Sequence, residues 1–273
     1  MATCAVLGPE GTFTEEAASK YLNHETKLVY TNCIGDVFEL VTGGKVDGGL
    51  VPLWNTQAGS IPATIKNLIN RELIIDGEIT LPVRHYLMGR EEHPLGTIEV
   101  VISQPAVFLQ CEQFISSYLP GARKEIVDST STAASFLTSE KRIAAAIGPK
   151  TVASVYGLHI LAERVEDDPK NCTTFIHISP KFHCGQKPNK TSVVFGLPDK
   201  PGALYEALGV FARRGINLSR LESRPRSQGA DTYLFFIDLE GGIHEEDIKK
   251  ALQELEDFSV FYKFLGSYPK NKS

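Results

Sequence analysis

The sequence predicts an α/β protein in two parts: a pair of strand–loop–helix lobes, then a smaller βαββαβ unit. Three observations carry this. Short apolar runs at Cys4–Leu7, Gly48–Leu53, Glu99–Ile102, Lys124–Val127 and Ile143–Gly148 alternate with segments of helical spacing. Lys181 to Lys190 interrupts the pattern with Lys181, Gly185, Lys187, Pro188 and Asn189 and no apolar periodicity, and reads as a linker. Beyond it the order is strand, helix, strand, strand, helix, strand, a ferredoxin-like unit. The expected division is therefore 1–180, linker 181–190, and 191–273.

The first unit opens on a strand over Cys4–Leu7, broken by Gly8-Pro9-Glu10-Gly11. Thr12 and Glu15 have capping-box spacing, and Ala17, Ala18, Tyr21 and Leu22 follow at helical spacing. Val29-Tyr30 marks a strand, and Ile34 to Thr42 a helix ended by Gly43-Gly44. Gly48–Leu53 is a strand running into the loop Trp54–Ser60, with helix from Ile61 to Ile69. Leu73–Ile75 and Ile79–Val83 read as two strands crossing into a second lobe. There Glu99–Ile102, a helix through Phe108, Cys111 and Phe114, Lys124–Val127, the cluster Ser129–Thr132, Ile143–Gly148 and a helix over Thr151–Tyr156 follow in turn. Asn171 to Thr174 is expected as a loop feeding the strand Phe175–Ile178. The C-terminal unit has strands at Thr191–Leu197, Ile216–Ser223, Thr232–Leu239 and Val260–Leu265, with helices at Ala203–Arg214 and Glu245–Glu256.

Composition narrows the function classes. The chain has 273 residues, 42% of them hydrophobic and 22% charged, with a net charge of −5. This is ordinary for a globular protein with a sizeable core. No basic run neutralises phosphates, so nucleic acid is not expected as a partner. No apolar run approaches a membrane span, and Met1–Cys4 lacks a basic n-region, so neither membrane nor signal peptide is expected. The five cysteines are widely spaced without C-x-x-C, which fits free thiols in the cytoplasm. Cys184 beside His183 is one pair and not a metal site; no metal and no cofactor are expected.

Three loops carry anion-ready groups: Gly11 to Thr14, Asn55 to Ser60, and Ser129 to Thr132. Each follows a strand, and a helix N-terminus offers free N–H groups and a positive dipole end. With Ser103 and Thr173 they line one cleft between two lobes in this reading, and the ligand implied is small and anionic. Each loop also has a plain reading as an α/β turn, and Thr173 and Thr174 suit a strand through their branched side chains alone.

At these residues the chain resembles bacterial prephenate dehydratase with a C-terminal ACT domain, over nearly its whole length. Gly8-Pro9-Glu10-Gly11-Thr12-Phe13 with Glu15 and Ala17-Ala18 matches the opening of that family. Ser129-Thr130-Ser131-Thr132-Ala133 and Tyr156-Gly157-Leu158 match later stretches. Gly202-Ala203-Leu204 and Glu222-Ser223-Arg224-Pro225 match its two ACT motifs. The resemblance implies a two-lobed, periplasmic-binding-protein-like catalytic domain and an ACT regulatory domain. It implies decarboxylating dehydration of prephenate to phenylpyruvate, with Thr173 as donor to the departing hydroxyl. Substrate-binding residues implied are Gly11, Thr12, Asn55, Thr56, Ser103, Gln110, Ser131, Thr132, Thr174 and Phe175. Phenylalanine is implied as effector at Gly202, Ala203, Leu204, Glu222, Ser223, Arg224 and Pro225, within a homodimer or homotetramer.

The chain departs from the family at four places. The Thr-Arg-Phe motif reads Thr173-Thr174-Phe175, Pro-Ile-Glu-Asn-Ser reads Pro52-Leu53-Trp54-Asn55-Thr56, a later glutamate is Ala58, and Ser-His-Pro reads Ser103-Gln104-Pro105. An arginine gives a carboxylate two parallel hydrogen bonds, and a threonine offers one uncharged hydroxyl. Two readings therefore stand beside the dehydratase: a prephenate decarboxylase that does not aromatise, and a catalytically silent paralogue that binds an aromatic metabolite.

Overall fold

Strands and helices alternate from the first residues, as the apolar spacing requires. The computed structural model describes residues 1–181, 187–225 and 233–270. In chain order the elements are β1 (Thr3–Leu7), α1 (Phe13–Tyr21), β2 (Lys27–Thr31), α2 (Ile34–Thr42), β3 (Gly48–Asn55), β4 (Gly59–Ser60), α3 (Pro62–Asn70) and β5 (Ile74–Pro82). Then come β6 (Tyr86–Gly89), β7 (Val100–Ser103), α4 (Pro105–Gln110), α5 (Glu112–Tyr118), β8 (Arg123–Ile126), α6 (Thr130–Leu137), β9 (Ala144–Gly148), α7 (Lys150–Tyr156), β10 (His159–Glu163) and β11 (Cys172–Ser179). The C-terminal elements are β12 (Lys190–Gly196), α8 (Ala203–Ala212), β13 (Leu218–Pro225), β14 (Tyr233–Glu240), α9 (Glu246–Phe258) and β15 (Phe261–Tyr268).

They form three sheets. The first runs β2-β1-β3-β11-β5, with β4 paired to β3. The second runs β10-β6-β9-β7-β8. The chain leaves the first sheet after β5 and returns to it with β11, which gives the two-lobed layout. The third, β13-β14-β12-β15, is antiparallel in ferredoxin-like order. By contacts the chain divides into one unit of 1–37, 50–61 and 80–175 and another of 38–49, 62–79 and 176–273, a division that cuts α2, β3, β5 and β11 and passes between β4 and α3.

In the first unit, period-2 alternation sends neighbouring side chains of the second sheet to opposite faces. Val101, Ala145 and Ile147 pack with Val107, Phe108, Cys111 and Ile115 of the α4–α5 segment. Val100, Ile102, Ala144 and Ala146 pack with Ala133, Ala134, Leu137, Val152 and Ala153 of α6 and α7. In the second unit, Val193, Phe195, Ile237 and Leu239 form the covered face of the third sheet. Ala207, Val210 and Phe211 of α8 and Ile248, Leu252 and Leu255 of α9 lie over it. Beyond that core sits a buried polar cluster: Lys190 Nζ lies 2.7 Å from Glu78 Oε2 and 3.0 Å from Asp238 Oδ2, and Ser192 Oγ bonds Tyr268 Oη at 2.7 Å.

Several expectations need correction. The two strands expected at Leu73–Ile75 and Ile79–Val83 are one continuous strand, β5, over Ile74–Pro82. Asp76 and Glu78, in the gap between the two expected strands, each face a partner far along the chain, His177 and Lys190. The helix through Phe108 and Phe114 breaks at Cys111, where ψ is 23° and φ −126°. β10 had no alternating pattern to announce it. Lys190 is no linker residue, being buried at the start of β12. Residues 182–186 of the expected linker, and Thr232 at the expected start of β14, lie outside the described residues.

Candidate active site

Asn55 ends β3, and the three residues Thr56–Ala58 turn the chain into β4, which pairs Trp54 with Ser60 and Asn55 with Gly59. The turn is tightened by Asn55 itself, whose Oδ1 accepts from the backbone N–H of Gln57 and of Ala58, each at 2.9 Å. With the oxygen engaged by donors, the amide nitrogen faces β11. Asn55 Nδ2 donates to Asn171 Oδ1 at 2.8 Å, Thr173 Oγ1 at 3.0 Å and Cys172 O at 3.1 Å. Thr56 completes the junction. Its N–H donates to Cys172 O and its Oγ1 accepts from Cys172 N, both at 3.0 Å, and its hydroxyl donates to Asn171 Oδ1 at 3.0 Å. Thr173 and Asn55 are thus neighbours.

Cys172 to Thr174 are strand, not loop. Thr174 shares a 2.9 Å hydrogen bond with Thr80 of β5, so its hydroxyl already has a protein partner. Phe175 is buried.

The glycine loop and the Ser129–Thr132 cluster also meet. Ser131 Oγ donates to Glu10 O at 2.6 Å, and Thr151 Oγ1 to Gly11 O at 2.9 Å. Gly11 has φ of +87°, and a Cβ there would come within 3.1 Å of Val152 Cγ2, so the position suits glycine. The capping box is displaced by one residue. Glu15 Oε2 accepts from Gly11 N at 2.6 Å, while Thr12 Oγ1 turns back to Leu7 O at 3.2 Å. The chain's own carboxylate thus occupies an N–H that the anion reading left for a ligand. Ser129 does cap α6, its Oγ accepting from Thr132 N at 3.0 Å and bonding Thr132 Oγ1 at 2.8 Å.

Ser103 sits at the end of β7 with no solvent exposure, and its Oγ donates to Ile147 O at 2.8 Å, joining β7 to β9. Gln104 is the residue before α4. Gln110, at the end of α4, bonds His85 Nε2 through Oε1 at 2.8 Å, and its carbonyl accepts from Asp167 N at 2.7 Å.

Three residues of this network escaped the sequence reading as site residues: Asn171, His85 and Thr80. Asn171 is buried and accepts from both Asn55 and Thr56. Its place two residues before Thr173 was the available signal. His85 and Thr80 gave none, since both partners are remote in sequence.

In the second unit, Gly202 has φ of +86° and precedes α8, which begins with Ala203 and Leu204. Glu222 on β13 takes Arg224 Nε at 2.8 Å and Arg220 Nη2 at 2.9 Å. Leu234 pairs with both Gly196 and Arg224, so the end of β12 leading to Gly202 and the end of β13 carrying Glu222–Pro225 lie at one end of the sheet.

Residues 4–182 match the family model described as prephenate dehydratase. The chain belongs to the prephenate dehydratase family. Residues 191–257 match the ACT domain. The chain is 39% identical to a prephenate dehydratase of Methanocaldococcus jannaschii, over 96% of this chain and 96% of that protein. It is 37% identical to a bifunctional chorismate mutase/prephenate dehydratase of Aquifex aeolicus, over 97% of this chain and 73% of that protein. Among solved structures it resembles the prephenate dehydratase of Arthrobacter aurescens in complex with L-Phe, with a TM-score of 0.90 and 33% identity, covering 98% of this chain and 90% of that one. The family is one of decarboxylating dehydratases, carbon–oxygen lyases that carry an ACT domain here. Among the described residues no helix is long and apolar enough to cross a membrane.

Proposed function

We propose that this chain converts prephenate to phenylpyruvate in the cytoplasm, and that phenylalanine controls it through the ACT domain. The carbon–carbon bond to the ring carboxylate breaks and carbon dioxide leaves, the bond's electron pair enters the ring, and the ring hydroxyl takes up a proton and leaves as water as the ring becomes aromatic. Thr173 supplies the proton to the departing oxygen. The observation that carries this is the Asn55 amide on Thr173 Oγ1 at 3.0 Å. A donor placed on the threonine oxygen leaves its O–H free to point away, and steadies the negative charge that builds on that oxygen as the proton moves. Asn55, Thr56, Ser103, Gln110, Ser131, Thr132, Thr174, Phe175 and the Gly11–Thr12 turn are assigned to the substrate's surroundings.

The effector site is assigned to Gly202–Leu204 and Glu222–Pro225. Edge strand β13 is assigned to pairing in a homodimer or homotetramer, with catalytic domain 1–180 and ACT domain 191–273. The relative from Arthrobacter aurescens, solved with L-Phe, supports the choice of effector.

The test is incubation of purified protein with prephenate and with arogenate, followed by identification of products. Phenylpyruvate, seen as its enolate in base, supports the proposal. A dihydro product points to decarboxylation without aromatisation. Phenylalanine binding by calorimetry with no turnover of either compound points to a silent paralogue.

A further inference from the structure

His85 is 1% exposed and held from every side. Its backbone N–H donates to Glu166 Oε2 at 2.8 Å, and its carbonyl accepts from Val165 N at 3.0 Å. Glu166 is in turn paired with Arg84 at 3.3 Å. The ring of Phe13, from the first turn of α1, meets the imidazole edge-on, with centroids 5.5 Å apart and planes at 81°. Among the described residues the side chain makes one polar contact, Nε2 to Gln110 Oε1 at 2.8 Å.

An amide oxygen can only accept, so Nε2 carries the proton and Nδ1 is bare. Nδ1 is buried and has no partner among the described residues. A second proton there would be an orphaned donor in a dry pocket, and burial accordingly pulls the imidazole below its ordinary value, against the pull of Gln110 and Glu166. With Oε1 tied to histidine, the Gln110 amide can turn only its N–H groups to a ligand. An anion requires that orientation; the flipped amide would present an oxygen to it.

We propose that His85 is a positioning residue, whose neutral Nε2–H fixes the Gln110 amide so that its N–H groups face the substrate. This rests on the assignment of Gln110 to the substrate's surroundings. It assigns no chemistry to the imidazole itself.

A double-mutant cycle tests it on prephenate turnover by the full chain. His85→Phe keeps a ring and removes the donor, and is expected to lower kcat/KM by about 10- to 100-fold, the range for a hydrogen bond to a charged group. His85→Gln returns a donor near the Nε2 position and is expected to recover most of that loss. In a Gln110→Ala background the His85→Phe change is expected to cost less than about twofold, since the two act as one unit. An equal loss in both backgrounds, or no rescue by His85→Gln, overturns the proposal. Nitrogen-15 spectra of the imidazole decide the matter without turnover. The expected state is the neutral Nε2–H tautomer at pH 6.5, where a solvated histidine is half protonated. An Nδ1–H tautomer or an imidazolium at that pH overturns the proposal even if the chain proves inactive, while absence of turnover with the expected tautomer counts only against the dehydratase assignment.

Discussion

Asn55 Nδ2 stands 3.0 Å from Thr173 Oγ1, and the orientation of that amide is fixed by the two backbone N–H groups that its oxygen accepts. The hairpin thus decides which way the threonine hydroxyl points. A turn motif and a proton donor are one construction here, because the amide that closes the turn also polarises the hydroxyl.

Thr173→Val keeps the branched shape and removes the hydroxyl. Loss of a positioned proton donor typically costs about 10²–10⁴ in rate, so phenylpyruvate formation should fall by that factor. Asn55 Nδ2 retains Asn171 Oδ1 and Cys172 O, so thermal unfolding should move little. Thr173→Ser should keep most of the rate. A valine variant with undiminished turnover would remove Thr173 from the reaction.

Asn55→Asp sets a carboxylate oxygen where the amide nitrogen was, against three acceptors on Asn171, Cys172 and Thr173. Thr56 still donates to Asn171 Oδ1 and Cys172 O, but a buried carboxylate facing those two oxygens costs more than the ~1–3 kcal/mol of a neutral group left unpaired. The variant should unfold at lower denaturant than wild type. It should also lose turnover, since Thr173 would now donate inward to the carboxylate. Equal stability of the two proteins by chemical denaturation would show the amide orientation to be wrong.

Local pattern made much of this legible. β1, α1, α2 and the ferredoxin-like unit follow from apolar spacing and glycine stops, which act within a few residues. The Ser129 cap was readable for the same reason. What failed depended on remote partners. Asp76 and Glu78 read as a break in β5 because His177 and Lys190 lie about a hundred residues on. Lys190 read as linker for the converse reason. Ser103 also donates to Ile147 O across the sheet, a structural use no spacing reveals. His85 has the same character: only the fold brings Gln110 to it.

Thr174 occupies the position where the family motif carries arginine, and it is satisfied by Thr80 at 2.9 Å. Thr174→Arg exchanges one neutral hydrogen bond for a bidentate carboxylate donor. The gain of about 1.5–3 kcal/mol in carboxylate binding corresponds to roughly one to two decades in KM for prephenate. The lost Thr80 bond should lower stability by about 0.5–1.5 kcal/mol. Steady-state kinetics with unchanged KM would show that position 174 does not face the substrate.

Burial holds the His85 imidazole below its ordinary value, which ties stability to pH. A depressed folded value means the contribution is present above the unfolded value of 6.5 and is lost as pH falls through the folded one. Wild type should therefore lose stability relative to His85→Gln as the buffer is taken below pH 6.5. Parallel denaturation curves for the two proteins across that range would contradict a neutral buried ring.

Lys190 Nζ lies within ion-pair distance of both Glu78 and Asp238, the three forming a buried cluster in the second unit. Burial raises Glu78 above its ordinary value even though Lys190 pulls it down. Burial also opposes the charge on Lys190, but Asp238 and Glu78 outweigh it and keep the ammonium. The two substitutions are therefore unequal. Lys190→Met strands two carboxylates beside the buried Tyr268 and should destabilise by about 3–5 kcal/mol. Glu78→Gln keeps a hydrogen-bond acceptor for Lys190, leaves the ammonium paired one-to-one with Asp238, and removes the carboxylate that burial penalises. It should be neutral or stabilising at neutral pH. The sign with pH follows from the raised value of Glu78, whose contribution is full below 4.5 and lost as pH rises through the folded value. The stability of Glu78→Gln relative to wild type should thus improve from pH 4.5 towards pH 8. Denaturant midpoints at both ends of that range measure it, and a variant that weakens relative to wild type as pH rises would mean that Lys190, not burial, governs Glu78.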